Sequence, residues 1–201
     1  MAKRQLRHAP ATLRNREPIL EVLRRVRPAE GLLLEIASGS GEHAAFMTPQ
    51  LPDLAWQPSD ADAGALADID AHAQAASPRI RPALRLDVQE RVWPVARCDA
   101  VLCCNMIHIA PWTAAEGLFT GAARVLSSGA PLILYGPFKR DGVHTADSNA
   151  RFDTGLRLQD VRWGVRCLDT QVMPLAERNG FALQEIVEMP ANNLTVVWRR
   201  M

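Results

Sequence analysis

Three acidic side chains stand in or just after apolar runs that read as strands: Glu35 inside Leu32-Leu33-Leu34-Glu35-Ile36, Asp60 after residues 54–59, and Asp87 after residues 81–86. A carboxylate at a strand end suits one task well, because its two oxygens accept hydrogen bonds from a diol or an amino group. Between the first run and a helical pattern lies Ser38-Gly39-Ser40-Gly41, whose glycines let the backbone turn sharply against a ligand that bulkier residues would block. The pattern describes a nucleotide-sized site. Asp60 would take the ribose hydroxyls, and Asp87, with Leu86 or Val88 beside it, the adenine-like ring. Glu35, Ala37, Ser38, Gly39 and Gly41 would face the remainder of the ligand, with Asn105 and Met106 bordering the reacting centre. Each has a plainer reading too: Asp60 as a helix N-cap, Asp87 as a turn acid, and Asn105 as a partner for loop backbone.

Acid–base chemistry has fewer candidates. His108 follows the fourth apolar run and belongs to the one residue type that titrates near neutral pH, while His144, Asp153 and Asp169 are weaker alternatives. His108 could equally fix a loop, and His43 reads as a structural histidine on a helix. Residues 137–169 interleave aromatic and charged side chains, which suits an ordered lid over a second substrate. Arg140 and Arg166 could grip a carboxylate or phosphate there, with Asn149, Phe152 and Trp163 as further contacts. Asn192 and Asn193, in a turn between two late strands, could add amide contacts or simply tolerate left-handed backbone angles.

The elements that would position these groups alternate. The spacing predicts a helix over about residues 16–27 capped by Asn15, a strand at 32–37, and a helix that stops before Pro49. A strand at 54–59, a helix at 61–76, strands at 81–86 and 100–104, a helix at 114–126 and a strand at 130–135 follow. Strand and helix in alternation imply a parallel sheet covered on both faces, with ligands at the carboxyl ends of its strands. Residues 181–189 and 194–199 break the rhythm: with only Pro190-Ala191-Asn192-Asn193 between them, they form an antiparallel hairpin and put one reversed strand in the sheet. The expected fold class is therefore α/β, Rossmann-like, with a mostly parallel seven-stranded sheet ending in that hairpin, as in class I methyltransferases that use S-adenosylmethionine.

Composition narrows the field. A chain of 201 residues with 48% hydrophobic content supports one domain, here residues 14–201 with 137–169 as an insertion, preceded by a basic tail at 1–13. The net charge of +1 gives no reason to expect nucleic acid, and no apolar run approaches a membrane span. The first residues lack the apolar segment of a secretory signal, so the location is read as cytoplasmic; Cys98, Cys103, Cys104 and Cys167 lack metal-site spacing and read as buried thiols, so no metal is expected, and oligomeric state stays open.

Gly39-Ser40-Gly41-Glu42-His43-Ala44 also fits the G-x-G-x-x-G/A pattern of nicotinamide-dependent oxidoreductases, which the terminal hairpin disfavours. A further resemblance is carried by Arg14-Asn15-Arg16-Glu17-Pro18-Ile19-Leu20, the turn from Glu35 to His43, Asn105-Met106-Ile107-His108-Ile109-Ala110-Pro111-Trp112 and Tyr135-Gly136-Pro137-Phe138. Ser148-Asn149, Phe152-Asp153, Trp163-Gly164-Val165-Arg166 and Met189-Pro190-Ala191-Asn192-Asn193 continue it. In these segments the chain resembles the methyltransferase-like protein twenty-six family from about residue 14 to 199, with Cys167 standing where an acid is expected. The resemblance implies S-adenosylmethionine as cofactor and methyl transfer to an unidentified acceptor of small or medium size. A binding protein for the cofactor that acts through a partner is the alternative.

Overall fold

The computed structural model describes residues 9–201, so the basic residues Lys3, Arg4, Arg7 and His8 lie outside the described residues. Helix α1 (Pro10–Val26) buries Ile19, Leu20, Leu23 and Val26 at helical spacing, and starts with Pro10 in its first turn. It begins earlier than expected: residues 10–13, read as tail, are helical, and Asn15 is buried inside the helix and caps nothing. The buried face continues backward from Ile19 through Asn15, four residues earlier, and Thr12, seven earlier, polar residues that an apolar pattern does not register.

Strand β1 (Gly31–Ile36), helix α2 (Glu42–Met47), strand β2 (Leu54–Asp60) and helix α3 (Ala63–Ala76) follow, with a short 3-10 turn at Thr48–Gln50 that carries Pro49. The third strand is shorter than expected. Strand β3 covers Leu84–Arg85 alone, because Pro82 has no amide hydrogen for a ladder, and Ile80 makes only an isolated bridge to Trp56. Next come β4 (Ala100–Cys104), α4 (Trp112–Val125) and β5 (Pro131–Gly136). Residues 137–169 hold a small hairpin, β6 (Lys139–Arg140) with β7 (Val143–His144), and helix α5 (Asp147–Gln159). A π turn at Leu168–Val172 leads into α6 (Met173–Arg178), and β8 (Phe181–Met189) and β9 (Asn193–Arg200) end the chain.

The sheet runs β3-β2-β1-β4-β5-β9-β8. β1 pairs in parallel with β2 and β4, and β4 with β5, while β9 is antiparallel to both β5 and β8. The fold is thus the Rossmann-like α/β class with a reversed strand, as expected. Period-2 alternation divides the core between the faces. Leu33, Leu102, Ile133 and Val197 pack under α1 and α2, while Leu34, Val101, Leu132, Val196 and Trp198 pack under α4 and α6. Phe119 of α4 meets Phe181 and Trp198 edge-on, at centroid distances of 5.8 and 6.1 Å. Among the described residues no helix is long and apolar enough to cross a membrane.

Candidate active site

The glycine turn is built from both neighbouring strands. Where β1 leaves the sheet, Ser38 donates its amide to the Ser59 carbonyl at 2.8 Å, and the Ser59 hydroxyl donates to the Glu35 carbonyl at 2.7 Å. Ala37, Gly39 and Gly41 all adopt positive φ, of 56°, 59° and 81°. A Cβ added at Gly41 would lie 2.8 Å from the Ile69 backbone, whereas one added at Gly39 would meet nothing within 4 Å. Gly41 is therefore required for packing against α3, and Gly39 borders open space.

Asp60 faces that space from the end of β2. One carboxylate oxygen accepts from the Gly39 amide and the other from the Asp62 amide, each at 2.9 Å, so each oxygen keeps a second lone pair for a ligand hydroxyl. The N-cap of α3 is Asp62, whose side chain accepts from Gly64, so the plainer reading of Asp60 does not hold. Asp87 accepts from the Gln89 amide at 2.9 Å in a turn beyond β3 and is half-buried.

Other members of the expected cofactor set are placed differently. Glu35 is 1% exposed and faces the interior, accepting from the Ser38 hydroxyl at 2.9 Å and the Trp56 indole at 3.0 Å, with His43 Nδ1 3.6 Å away. It shapes the turn and does not line it. Val88 and Met106 are largely buried and pack in the core beside α4. Asn105 adopts a left-handed conformation (φ 62°) at the end of β4, where its amide donates to the Tyr135 carbonyl at 2.7 Å.

The acid–base candidates do not meet in an open site. His108 is fully buried; its Nδ1 accepts the Arg166 amide at 3.2 Å, its ring stands edge-on to Phe138, and Gly136 leaves room for Nε2. Burial, with the Arg166 charge adding to it, pushes its pKa down to about 3, so the ring is neutral at physiological pH and shielded from any substrate. His144 and Asp153 belong to one ion cluster: Asp153 carboxylate oxygens lie 3.0 Å from Lys139 Nζ, 3.2 Å from His144 Nε2 and 3.2 Å from Arg157 Nε, and accept the Val165 amide at 2.8 Å. Burial pushes the Asp153 pKa up, but the Lys139 bond and the Val165 amide outweigh it and hold the carboxyl below its ordinary value. This cluster ties β6, β7 and α5 together and is spent on doing so. Asp169 is likewise engaged, by Arg140 in a two-pronged pair at 3.0 Å and by the Asp141 amide.

Both expected anion-binding arginines are corrected by these contacts. Arg140 is paired with Asp169, and Arg166 is buried with its guanidinium donating to the carbonyls of Ile107, Ala110 and Arg162 over Trp112. Trp163 sits half-buried at the turn after α5, away from the cavity described next.

That cavity, of about 660 Å³, opens where β4 and β5 end, between α1, α5 and the β8–β9 turn. It gathers Asn105, Asn149, Phe152, Asn192 and Asn193 from the expected set. Asn149 donates to the Asn192 carbonyl at 2.9 Å, so α5 is fastened to the turn, while Phe152 remains 41% exposed. Arg14, Asn15 and Tyr135 also line the wall and were not anticipated as site residues. Their signal was present, since Arg14-Asn15, Tyr135-Gly136-Pro137, Ser148-Asn149 and Pro190-Ala191-Asn192-Asn193 all belong to the segments that carry the family resemblance, and the fold brings them to one cavity.

A reversed strand between β5 and β8, a glycine turn after β1 and an acid after β2 are together the fold of class I methyltransferases. Residues 6–200 match the model of the family described as protein of unknown function (DUF938), and the chain belongs to that family. Among solved structures, the human N-acetylserotonin methyltransferase in complex with S-adenosylmethionine superposes with a TM-score of 0.76 at 13% identity, over 94% of this chain and 52% of that one. CalO1, a methyltransferase in calicheamicin biosynthesis in its S-adenosylhomocysteine-bound form, gives 0.74 at 18% identity, over 93% and 54%. A putative methyltransferase from Bacillus halodurans gives 0.69 at 14% identity, over 90% and 98%. The chain thus spans about half the length of the first two and nearly all of the third, and these likenesses establish the fold.

Proposed function

We propose that the protein is an S-adenosylmethionine-dependent methyltransferase acting on a small or medium-sized acceptor, in keeping with its resemblance to the methyltransferase-like protein twenty-six family. One observation carries the reading: the Asp60 carboxylate is fixed by the Gly39 and Asp62 amides beside an open glycine turn, at the carboxyl end of β2. A diol bound there finds one free lone pair on each oxygen, while the Gly39 backbone is approachable because no side chain covers it. Asp87 would take an adenine amino group, and Asn105 would border the methyl group. When bound, the cofactor supplies an activated methyl group on a sulfonium. The chain's own part is to hold the acceptor in line with that group and to exclude water, tasks that can account for much of such a rate acceleration without acid–base catalysis.

The lid role of residues 137–169 is supported by Asn149 and Phe152, which reach the cavity from α5. The four cysteines, none of them in a disulfide, support a cytoplasmic location. The reading is tested by titrating S-adenosylhomocysteine into the wild-type protein and Asp60→Ala. Losing two charge-assisted ligand bonds is expected to weaken binding by about tenfold or more. Equal affinities would remove Asp60 from the site and with it the reading.

A further inference from the structure

Among the described residues in the wall of the cavity beside Asn105, Arg14 is the one that carries a charge, and none is a histidine, carboxylate, lysine or thiol able to take a proton. The remaining polar wall is made of amides and one hydroxyl beyond Tyr135, and Ile109, Phe152 and Pro137 make it apolar elsewhere.

The Tyr135 hydroxyl is held in that wall by a neighbouring amide. The Asn193 side-chain amide donates to its oxygen at 2.9 Å, and Asn15 stands beside it in the cavity wall. Asn15 has its own oxygen occupied by His43 Nε2 at 2.8 Å. The Tyr135 hydroxyl accepts the Asn193 bond and keeps its own hydrogen to donate, and Tyr135 lines the cavity. Burial raises the phenol above its ordinary pKa, which keeps that hydrogen in place at neutral pH. The His43 ring is in turn set beside Glu35, so the chain from the glycine turn to the cavity runs through residues with fixed orientations.

We infer that the acceptor is an organic carboxylate with an apolar body, held by the Arg14 guanidinium and the Tyr135 hydroxyl and methylated as the anion. This rests on the methyltransferase reading above. One carboxylate oxygen forms a bond to the methyl carbon as the carbon–sulfur bond breaks, and the electron pair of that bond goes to sulfur. The sulfonium becomes a neutral thioether and the carboxylate a neutral methyl ester. No proton is released, which fits a cavity wall without a base.

The test uses 2-naphthoate and its neutral analogue 2-naphthamide, titrated into the full-length protein saturated with S-adenosylhomocysteine. Naphthoate is expected to bind about tenfold or more tightly than naphthamide. Arg14→Gln, an exposed position on α1, is expected to abolish that preference without changing the affinity for S-adenosylhomocysteine, and Tyr135→Phe to reduce it several-fold. Equal affinity for the two probes, a preference that survives Arg14→Gln, or no binding of naphthoate to the loaded protein would each overturn the inference and leave the cofactor reading standing. Failure to bind S-adenosylhomocysteine in the first step would instead contradict that reading, on which the inference depends.

Discussion

Ala37 occupies a backbone conformation that glycine adopts freely, with φ at 56°, and an alanine there costs about 1 kcal/mol. Ala37→Gly is therefore expected to raise the stability in urea unfolding by about 0.5 kcal/mol, the strain relieved being partly offset by the added freedom of the unfolded chain; a clear loss would show that the Ala37 methyl is needed for packing. His108 makes a prediction of opposite character. Its ring is neutral when folded, with a pKa near 3, and ordinary when unfolded, so below about pH 6.5 the unfolded chain takes up a proton that the folded one refuses. Stability that is fully present above pH 6.5 drains as the pH falls toward 3, and Asp153 adds its own loss only below about 3.8, since its carboxyl is held down. Melting temperatures measured from pH 7.5 to 4.5 should fall for the wild type. Less steeply should they fall for His108→Asn, whose side-chain oxygen can still accept the Arg166 amide; parallel slopes would remove His108 as the titrating group. These burials were not legible in the sequence. Asp60 could be placed from its strand end alone, whereas the fate of His108 and Arg166 was set by contacts between residues 58 apart, such as the Arg166 amide on the His108 ring.

Elements were read best where one rule governed them. β1, β4 and β5 are mostly apolar runs, broken in β1 by Glu35 alone, and β8 with β9 leaves no room for a helix between them, so both the parallel sheet and its reversed strand could be deduced. β3 could not, because Pro82 withdraws a donor in the middle of a favourable composition, and the start of α1 could not, because its buried face opens with Thr12 and Asn15. The segment after β5 was legible as ordered but not as a hairpin plus helix. Its integrity depends on Asp153, which joins Lys139, His144 and Arg157 to the Val165 amide. Asp153→Ala is expected to cost about 3 kcal/mol, the scale of breaking a buried ion pair. Hydrogen exchange should show the loss in α5 and the β6–β7 hairpin first, with β1, β4 and β5 still protected; uniform loss across the sheet would contradict a local role.

For the whole molecule, the two sheet faces and the two ends of the sheet have separate duties. Helices α1 and α2 on one face and α4 and α6 on the other close the core, while the carboxyl ends of β1, β2, β4 and β5 carry the glycine turn, Asp60, Asn105 and Tyr135. The cavity beside Asn105 opens at that same end of the sheet, walled by α5 and by the β8–β9 turn that the reversed strand creates. The same geometry separates two cofactors, since a methyltransferase and a nicotinamide-dependent enzyme share the glycine turn but differ in that closing hairpin. Isothermal titration of the wild-type protein with S-adenosylmethionine, S-adenosylhomocysteine and NAD in parallel tests this most directly: the account predicts binding of the two sulfur compounds and none of NAD, and binding of NAD alone would contradict it.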